Sequence, residues 1–267
     1  MPVVTPGKDA RGEQPVRIPG IRSGGWLLLV LPCAALAADN EVGIGYSPSN
    51  LSDGYTEWQD LRAHWKRRLE KGSWELSLLQ AHRFEQDDTQ FMLGGSYPLS
   101  QDWSVNGQAG YTADADVLAE QVYDLGLSRF FGERWSVSLA ANLATYPGDK
   151  VYGGELSVEW MPRPFRVTAG LLYGSLQDSG HAWSQLFQLD YVYGEDDEGT
   201  LGIGVITGEQ PERITADQVA VSDADAMFIG GSHWLTPRWG IDYRFTQYRR
   251  ELFYTRDELS LNLLMRF

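Results

Sequence analysis

The stretch from Asp257 to Phe267 constrains this chain most, because its residues alternate apolar and polar up to the last position. Leu259, Leu261, Leu263, Met265 and Phe267 fall on one face of an extended strand, and Glu258, Ser260, Asn262 and Arg266 fall on the other. Only Leu264 breaks the pattern. Such a strand suits a bacterial outer-membrane β-barrel, whose lipid-facing and lumen-facing residues alternate. The competing reading is an ordinary half-buried strand of a soluble sheet. An aromatic final residue after alternating apolar positions also has the form that the outer-membrane insertion machinery reads, which makes Phe267 the candidate insertion signal.

A length of 267 residues fits one large all-β domain or two small ones. Hydrophobicity decides more. With 43% apolar residues, no segment reaches the roughly 18 consecutive apolar positions of a membrane helix, so any membrane span must be built of strands. The one apolar run, Trp26 to Leu36, follows Lys8, Arg11, Arg17 and Arg22 and precedes Ala35-Leu36-Ala37. That order predicts a cleavable signal peptide over residues 1 to 37, with an over-long basic segment that fits an over-extended start. Pro32 before Cys33, the only cysteine, argues against a lipid anchor. The remaining domain, residues 38 to 267, has no cysteine, and a closed hydrogen-bonded barrel can do without disulfides. Losing residues 1 to 37 removes four basic and two acidic residues, so the excess of acids over Lys and Arg grows from 14 to 16. Nucleic acid is a poor partner for such a surface.

Strand-like segments recur after short turns, each with an early aromatic: Gly72-Ser73-Trp74, Gln101-Asp102-Trp103, Glu133-Arg134-Trp135, Arg163-Pro164-Phe165 and Pro237-Arg238-Trp239. Their starts lie 29, 32, 30 and 74 residues apart, and Glu198-Gly199-Thr200-Leu201 opens a further unit inside the last gap. About thirty residues makes one up-and-down hairpin of membrane-spanning strands. Seven hairpins predict fourteen strands, near residues 41–48, 56–69, 73–84, 89–98, 102–112, 118–131, 134–146, 150–161, 164–175, 180–193, 199–207, 224–235, 238–250 and 254–267. Twelve is the alternative, should residues 41 to 55 or 208 to 232 be irregular. The expected fold is all-β: a transmembrane, up-and-down, antiparallel barrel with both ends on the periplasmic side of an outer membrane.

Aromatic pairs eight residues apart on the apolar faces support a membrane setting: Trp103 and Tyr111, Tyr152 and Trp160, Phe165 and Tyr173, Trp183 and Tyr191. Eight strand residues at a tilt of about 40° cover roughly 20 Å of membrane normal, close to an apolar band of about 25 Å between two aromatic girdles. A soluble sandwich predicts scattered spacings.

The phrases Phe131-Gly132-Glu133-Arg134-Trp135-Ser136-Val137, Val151-Tyr152-Gly153-Gly154, Gly208-Glu209-Gln210-Pro211-Glu212 and His233-Trp234-Leu235-Thr236-Pro237-Arg238-Trp239 together resemble the YaiO-type outer-membrane β-barrel proteins over residues 41 to 267. The resemblance implies location and architecture, at most a link to surface polysaccharide, and no catalytic residues. Some relatives carry a helical-repeat region before the barrel, and none is expected in the residues that precede the barrel here.

His64, His82, His181 and His233 are scattered, outside any metal-binding pattern, so neither metal nor cofactor is expected. His181 and Ser184, the closest Ser-His pair, point to opposite faces of a strand, which opposes lipase or lipid A deacylase chemistry. Asp114, Asp116, Asp223 and Asp225 sit in tip-like segments, where solvated charge is the default. The most informative charges are the candidate lumen-lining residues. Arg62, His64, Lys66 and Arg68 form one ladder on the second strand, and Asp124, Glu155, Glu159, Asp242 and Arg244 face inward by the same parity. Opposed basic and acidic stripes would set a transverse field across a pore for small polar solutes or saccharides. Alternatively the charges pair and fill the interior, giving a non-conducting barrel. The segment Gly208 to Asp223 reads as the longest surface loop, folded inward or standing outside. Expected partners are outer-membrane lipids, lipopolysaccharide and the insertion machinery, with the protein a monomer.

Overall fold

The computed structural model describes residues 40 to 177, 180 to 194, 198 to 215, 218 to 250 and 253 to 267. Residues 1 to 37, read above as a signal peptide, lie outside the described residues. Fourteen strands follow in order: β1 (Asn40–Leu51), β2 (Trp58–Arg68), β3 (Ser73–Arg83), β4 (Gln86–Pro98), β5 (Trp103–Thr112), β6 (Gln121–Phe131), β7 (Trp135–Tyr146), β8 (Asp149–Trp160), β9 (Phe165–Leu176), β10 (Gly180–Tyr193), β11 (Gly199–Thr215), β12 (Gln218–Trp234), β13 (Trp239–Arg250) and β14 (Tyr254–Arg266). Each pairs antiparallel with the next, and β1 pairs with β14 to close the barrel. Closure leaves no open sheet edge along the wall, which is what a strand-built membrane span needs. The seam is tied at its end by Phe267 N–H donating to the Asn40 carbonyl (3.0 Å) and Asn40 N–H donating to the Phe267 carbonyl (3.3 Å).

The two faces of the wall reverse the order found in a soluble protein. Phe91, Leu125 and Leu139 stand on the outer face with 64%, 61% and 62% of their surface exposed, while Ser128, Ser184 and Asp190 on the inner face are buried. Apolar side chains that face outward all around a closed sheet require hydrocarbon as their solvent. This is a transmembrane barrel, and the fourteen-strand reading holds over the twelve-strand one, because residues 41 to 51 and 218 to 232 are regular strand.

Two expectations fail at the end of the barrel opposite the chain termini, here the distal rim. The segment Gly208 to Asp223 is not a loop: β11 and β12 continue through it as a hairpin, paired from Gly199↔His233 up to Thr215↔Gln218. Conversely, residues 118 to 120, read as the start of the sixth strand, belong to the preceding connection. Pro211 and the Glu-rich run around it look like loop because proline cannot donate in a sheet. Here the β10–β11 pairing ends at Ser184↔Gly208, so beyond Gly208 one side of β11 is an edge where proline costs nothing. At Gly208 itself φ is +128°, and a Cβ would lie 2.3 Å from the Trp183 carbonyl oxygen, so glycine marks the bend where the hairpin leaves the wall.

Candidate functional site

The inner face divides into two zones. Toward the rim that carries the chain termini it is polar. Arg62, His64, Lys66 and Arg68 share the inward face of β2, and a Cβ on Gly43 of β1 would lie 2.1 Å from the His64 ring. Glu155 and Glu159 share the inward face of β8, which lies six strands from β2 one way round the barrel and eight the other. The basic ladder and the acidic pair therefore stand on nearly opposite walls. Asp124 faces inward on β6, and Asp242 and Arg244 on β13.

Neighbouring strands supply charges that the parity of β2 alone does not reveal. Lys66 is flanked in register by Glu41 on β1 and Glu75 on β3. Glu41 Oε2 lies 3.1 Å from Arg266 Nε and 3.8 Å from Arg68 Nη2. Across the lumen, Arg166 Nε lies 3.8 Å from Glu159 Oε1. Glu155 Oε2 is buried and has no hydrogen-bond partner among the described residues. Local ion pairs thus offset part of the charge on each of the two walls.

Toward the distal rim the inner face carries apolar clusters beside buried ion pairs, and it is covered. Residues 113 to 120, between β5 and β6, fold into the lumen. Val117 and Leu118 are buried against Leu79 and Ala81, with Phe84 and Met92 alongside. Ala119 joins Ala144, Tyr146, Val151 and Leu176, and Val219 from the β11–β12 hairpin completes that cluster. One buried carboxylate anchors the loop. Asp88 of β4 accepts hydrogen bonds from the backbone N–H groups of Val117 (2.8 Å) and Leu118 (2.6 Å) at Oδ2, and from that of Asp116 (3.0 Å) at Oδ1. Successive backbone donors converging on one anion form a nest, and hydrogen bonds to a charged acceptor are the strong ones. Thr112 Oγ1 donates to the Ala119 carbonyl (2.8 Å) and fixes the far end of the loop.

The hairpin adds to this cover. A Cβ on Gly174 of β9 would lie 2.6 Å from Pro211 Cδ, so the hairpin rests directly on the wall there. Arg250 Nε donates to Glu212 Oε2 (2.6 Å), Arg250 Nη1 to the Gln210 carbonyl (2.7 Å), and Arg256 Nη1 to Glu212 Oε1 (3.1 Å). Glu212 lies beyond Trp183 and the wall pairing, outside the membrane-spanning segment. Burial alone would raise its carboxyl, but the two guanidinium groups outweigh burial and hold it below the usual glutamate range. The clamp continues through Trp58, which is sandwiched between Arg83 (4.8 Å) and Arg256 (5.1 Å), and Arg83 pairs with Asp60 at 2.6 Å.

On the outer face, Trp103, Trp160, Phe165 and Tyr191 lie toward the terminal rim, and Tyr111, Tyr152, Tyr173 and Trp183 toward the distal rim. Phe165 meets Tyr191 at 5.7 Å and Tyr173 meets Trp183 at 4.9 Å, across adjacent strands. Trp135, stacked on Trp160 at 5.8 Å, and Tyr193, hydrogen-bonded to His233, extend the terminal band and were hidden by their lack of an eight-residue partner. His181 and Ser184 do not meet. The former hydrogen-bonds Tyr173 Oη (2.7 Å) on the outer face, and the latter accepts from Gln210 Nε2 (3.1 Å) on the inner face. Asp225 on β12 accepts from Thr207 Oγ1 (2.6 Å), and Asp116 belongs to the anchored loop. Among the described residues, no group of three His, Cys, Asp or Glu side chains could hold a metal ion.

Residues 39 to 213 match the family described as the YaiO membrane beta barrel domain. No curated protein is significantly similar in sequence. Among solved structures, the chain is similar to the CymD monoaromatic hydrocarbon channel (9% identity over 86% of this chain and 88% of that one, TM-score 0.62). It is likewise similar to the Ralstonia pickettii toluene transporter TbuX (8% identity, 87% and 90% covered, TM-score 0.57). A third is a bacterial polysaccharide outer membrane secretin (9% identity, 87% and 99% covered, TM-score 0.55). At these identities the likeness is one of fold.

Proposed function

Since this chain belongs to the YaiO family of membrane β-barrel domains, we propose that it is an outer-membrane passage for small polar solutes or saccharide chains, closed at its distal rim in the state described. In this reading residues 1 to 37 direct export, Phe267 marks the chain for insertion, and the terminal rim faces the periplasm, as in barrels whose short turns lie on that side. The observation that carries the proposal is the combination of a polar inner face bearing both signs of charge with a cover built from a loop and a hairpin. A barrel evolved as a solid strut would be expected to fill its lumen from the wall. Here the cover lies beyond the closed ring of wall pairings and is anchored through Asp88 and Glu212, so its release would leave those pairings in place. The lining of Arg62, Lys66, Arg68, Glu155 and Glu159 favours polar cargo over apolar cargo.

Planar-bilayer conductance tests this. The wild-type barrel is expected to open rarely. Replacing residues 114 to 118 by a Gly-Ser linker should give stepwise currents, whose ion selectivity changes when Arg62, Lys66 and Arg68 are replaced by Gln together. If the folded barrel carrying that linker, with the hairpin clamp also removed by Glu212→Gln, passes no current, the interior is a plug and the non-conducting reading holds. Currents whose selectivity ignores the triple replacement would remove the basic ladder from the pathway.

A further inference from the structure

We infer that the outer wall carries a binding site for the phosphodiester headgroup of a glycerophospholipid, centred on Arg129, in the leaflet at the terminal rim. Arg129 lies on the outward face of β6, opposite Trp103 of β5 in the strand register. Its side chain is exposed, and its guanidinium carbon stands 5.3 Å from the centroid of the Trp103 ring and 4.7 Å from that of Phe131. Among the described residues no carboxylate forms an ion pair with it.

A cation on the lipid face is costly at the bilayer midplane and nearly free at the interface, so the aromatic band is where it can reside. The two rings steady the charge. They take none of its five N–H donors in a conventional hydrogen bond, and those donors form a fork that matches a phosphate. At that depth the membrane itself offers such an anion. One row toward the midplane, Leu127 and Leu139 pair across β6 and β7 and are well exposed, providing a surface along which the acyl chains of the same lipid can lie. Because the protein contributes a cation without a counter-charge, a headgroup with net negative charge, such as phosphatidylglycerol, is favoured over one whose own amine already balances its phosphate. The site depends on the membrane span alone and is indifferent to whether the lumen conducts.

The test uses the refolded barrel in detergent with equal amounts of phosphatidylglycerol and phosphatidylcholine, read by native mass spectrometry. Wild type should retain phosphatidylglycerol preferentially. Arg129→Gln should cut that retention about fivefold, the factor expected of one basic residue near an anionic surface. Arg129→Lys, which keeps the charge but not the planar fork, should fall between them. Arg249→Gln, on the outer face at the distal end of β13, should behave as wild type. Heat-modifiable gel mobility shows that each variant is folded. A second reading needs no variant: brominated phosphatidylglycerol should quench tryptophan emission of the wild type more than brominated phosphatidylcholine at equal mole fraction. Equal retention of the two lipids by wild type, undiminished phosphatidylglycerol on Arg129→Gln, or equal quenching overturns the site.

Discussion

Replacing Asp88 with Ala should release the inward loop while sparing the barrel. Asp88 sits near the start of β4, and its carboxylate accepts three backbone hydrogen bonds from residues 116 to 118, at 2.6 to 3.0 Å in their shortest contacts. A hydrogen bond to a charged group contributes about 1.5–3 kcal/mol, and donors of one nest do not add independently, so roughly 4 kcal/mol is a fair central figure for the set. At 1.4 kcal/mol per factor of ten, the ratio of open to closed loop should rise on the order of a thousandfold. Burial of Val117 and Leu118, worth about 1.5–3 kcal/mol each, is untouched in the closed form and limits the loss. The assay is amide hydrogen exchange at Val117 and Leu118, with exchange in the middle of β4 as the internal reference. Opening frequency in a planar bilayer is the functional counterpart. If these two amides exchange within about tenfold of wild type while the barrel remains heat-modifiable, the carboxylate is not the anchor, and the apolar contacts alone hold the loop.

Further outcomes concern the hairpin. The Glu212 carboxyl is held below its unfolded value, so its contribution is fully present above the ordinary glutamate pKa of about 4.3 and is lost as pH falls through the lowered folded value. Protease sensitivity of the β11–β12 hairpin should therefore stay flat from about pH 5 to 8 and rise only below about pH 4, and Glu212→Gln should be sensitive throughout and show no such rise. A rise between pH 6 and 7 in wild type would assign the transition to another group. At Gly208, alanine meets both a positive φ and a carbonyl oxygen, so Gly208→Ala should destabilise the bend by about 1–3 kcal/mol. Faster exchange confined to residues 209 to 223 would show it, whereas an unchanged exchange pattern would mean that the bend needs no glycine.

The parity of the chain determined which face of each strand meets lipid: with a side-chain period of two, Leu259, Leu261, Leu263, Met265 and Phe267 had to share one side of a wall. The thirty-residue rhythm set the number of strands, because it follows from the thickness to be crossed. What covers the distal rim could not be read this way. Val117-Leu118-Ala119 was the available signal, an apolar triplet within a connection that otherwise reads as polar. Its direction is set by Asp88, 28 to 30 residues earlier, and the clamp joins Glu212 to guanidinium groups 38 and 44 residues later. Glu41 meets Arg266 only because the first and last strands close on each other, 225 residues apart. Alternation is a local property of extended backbone, fixed before the chain folds. Closure, and the charges and covers that it brings together, depends on register between distant strands, which only the completed barrel decides.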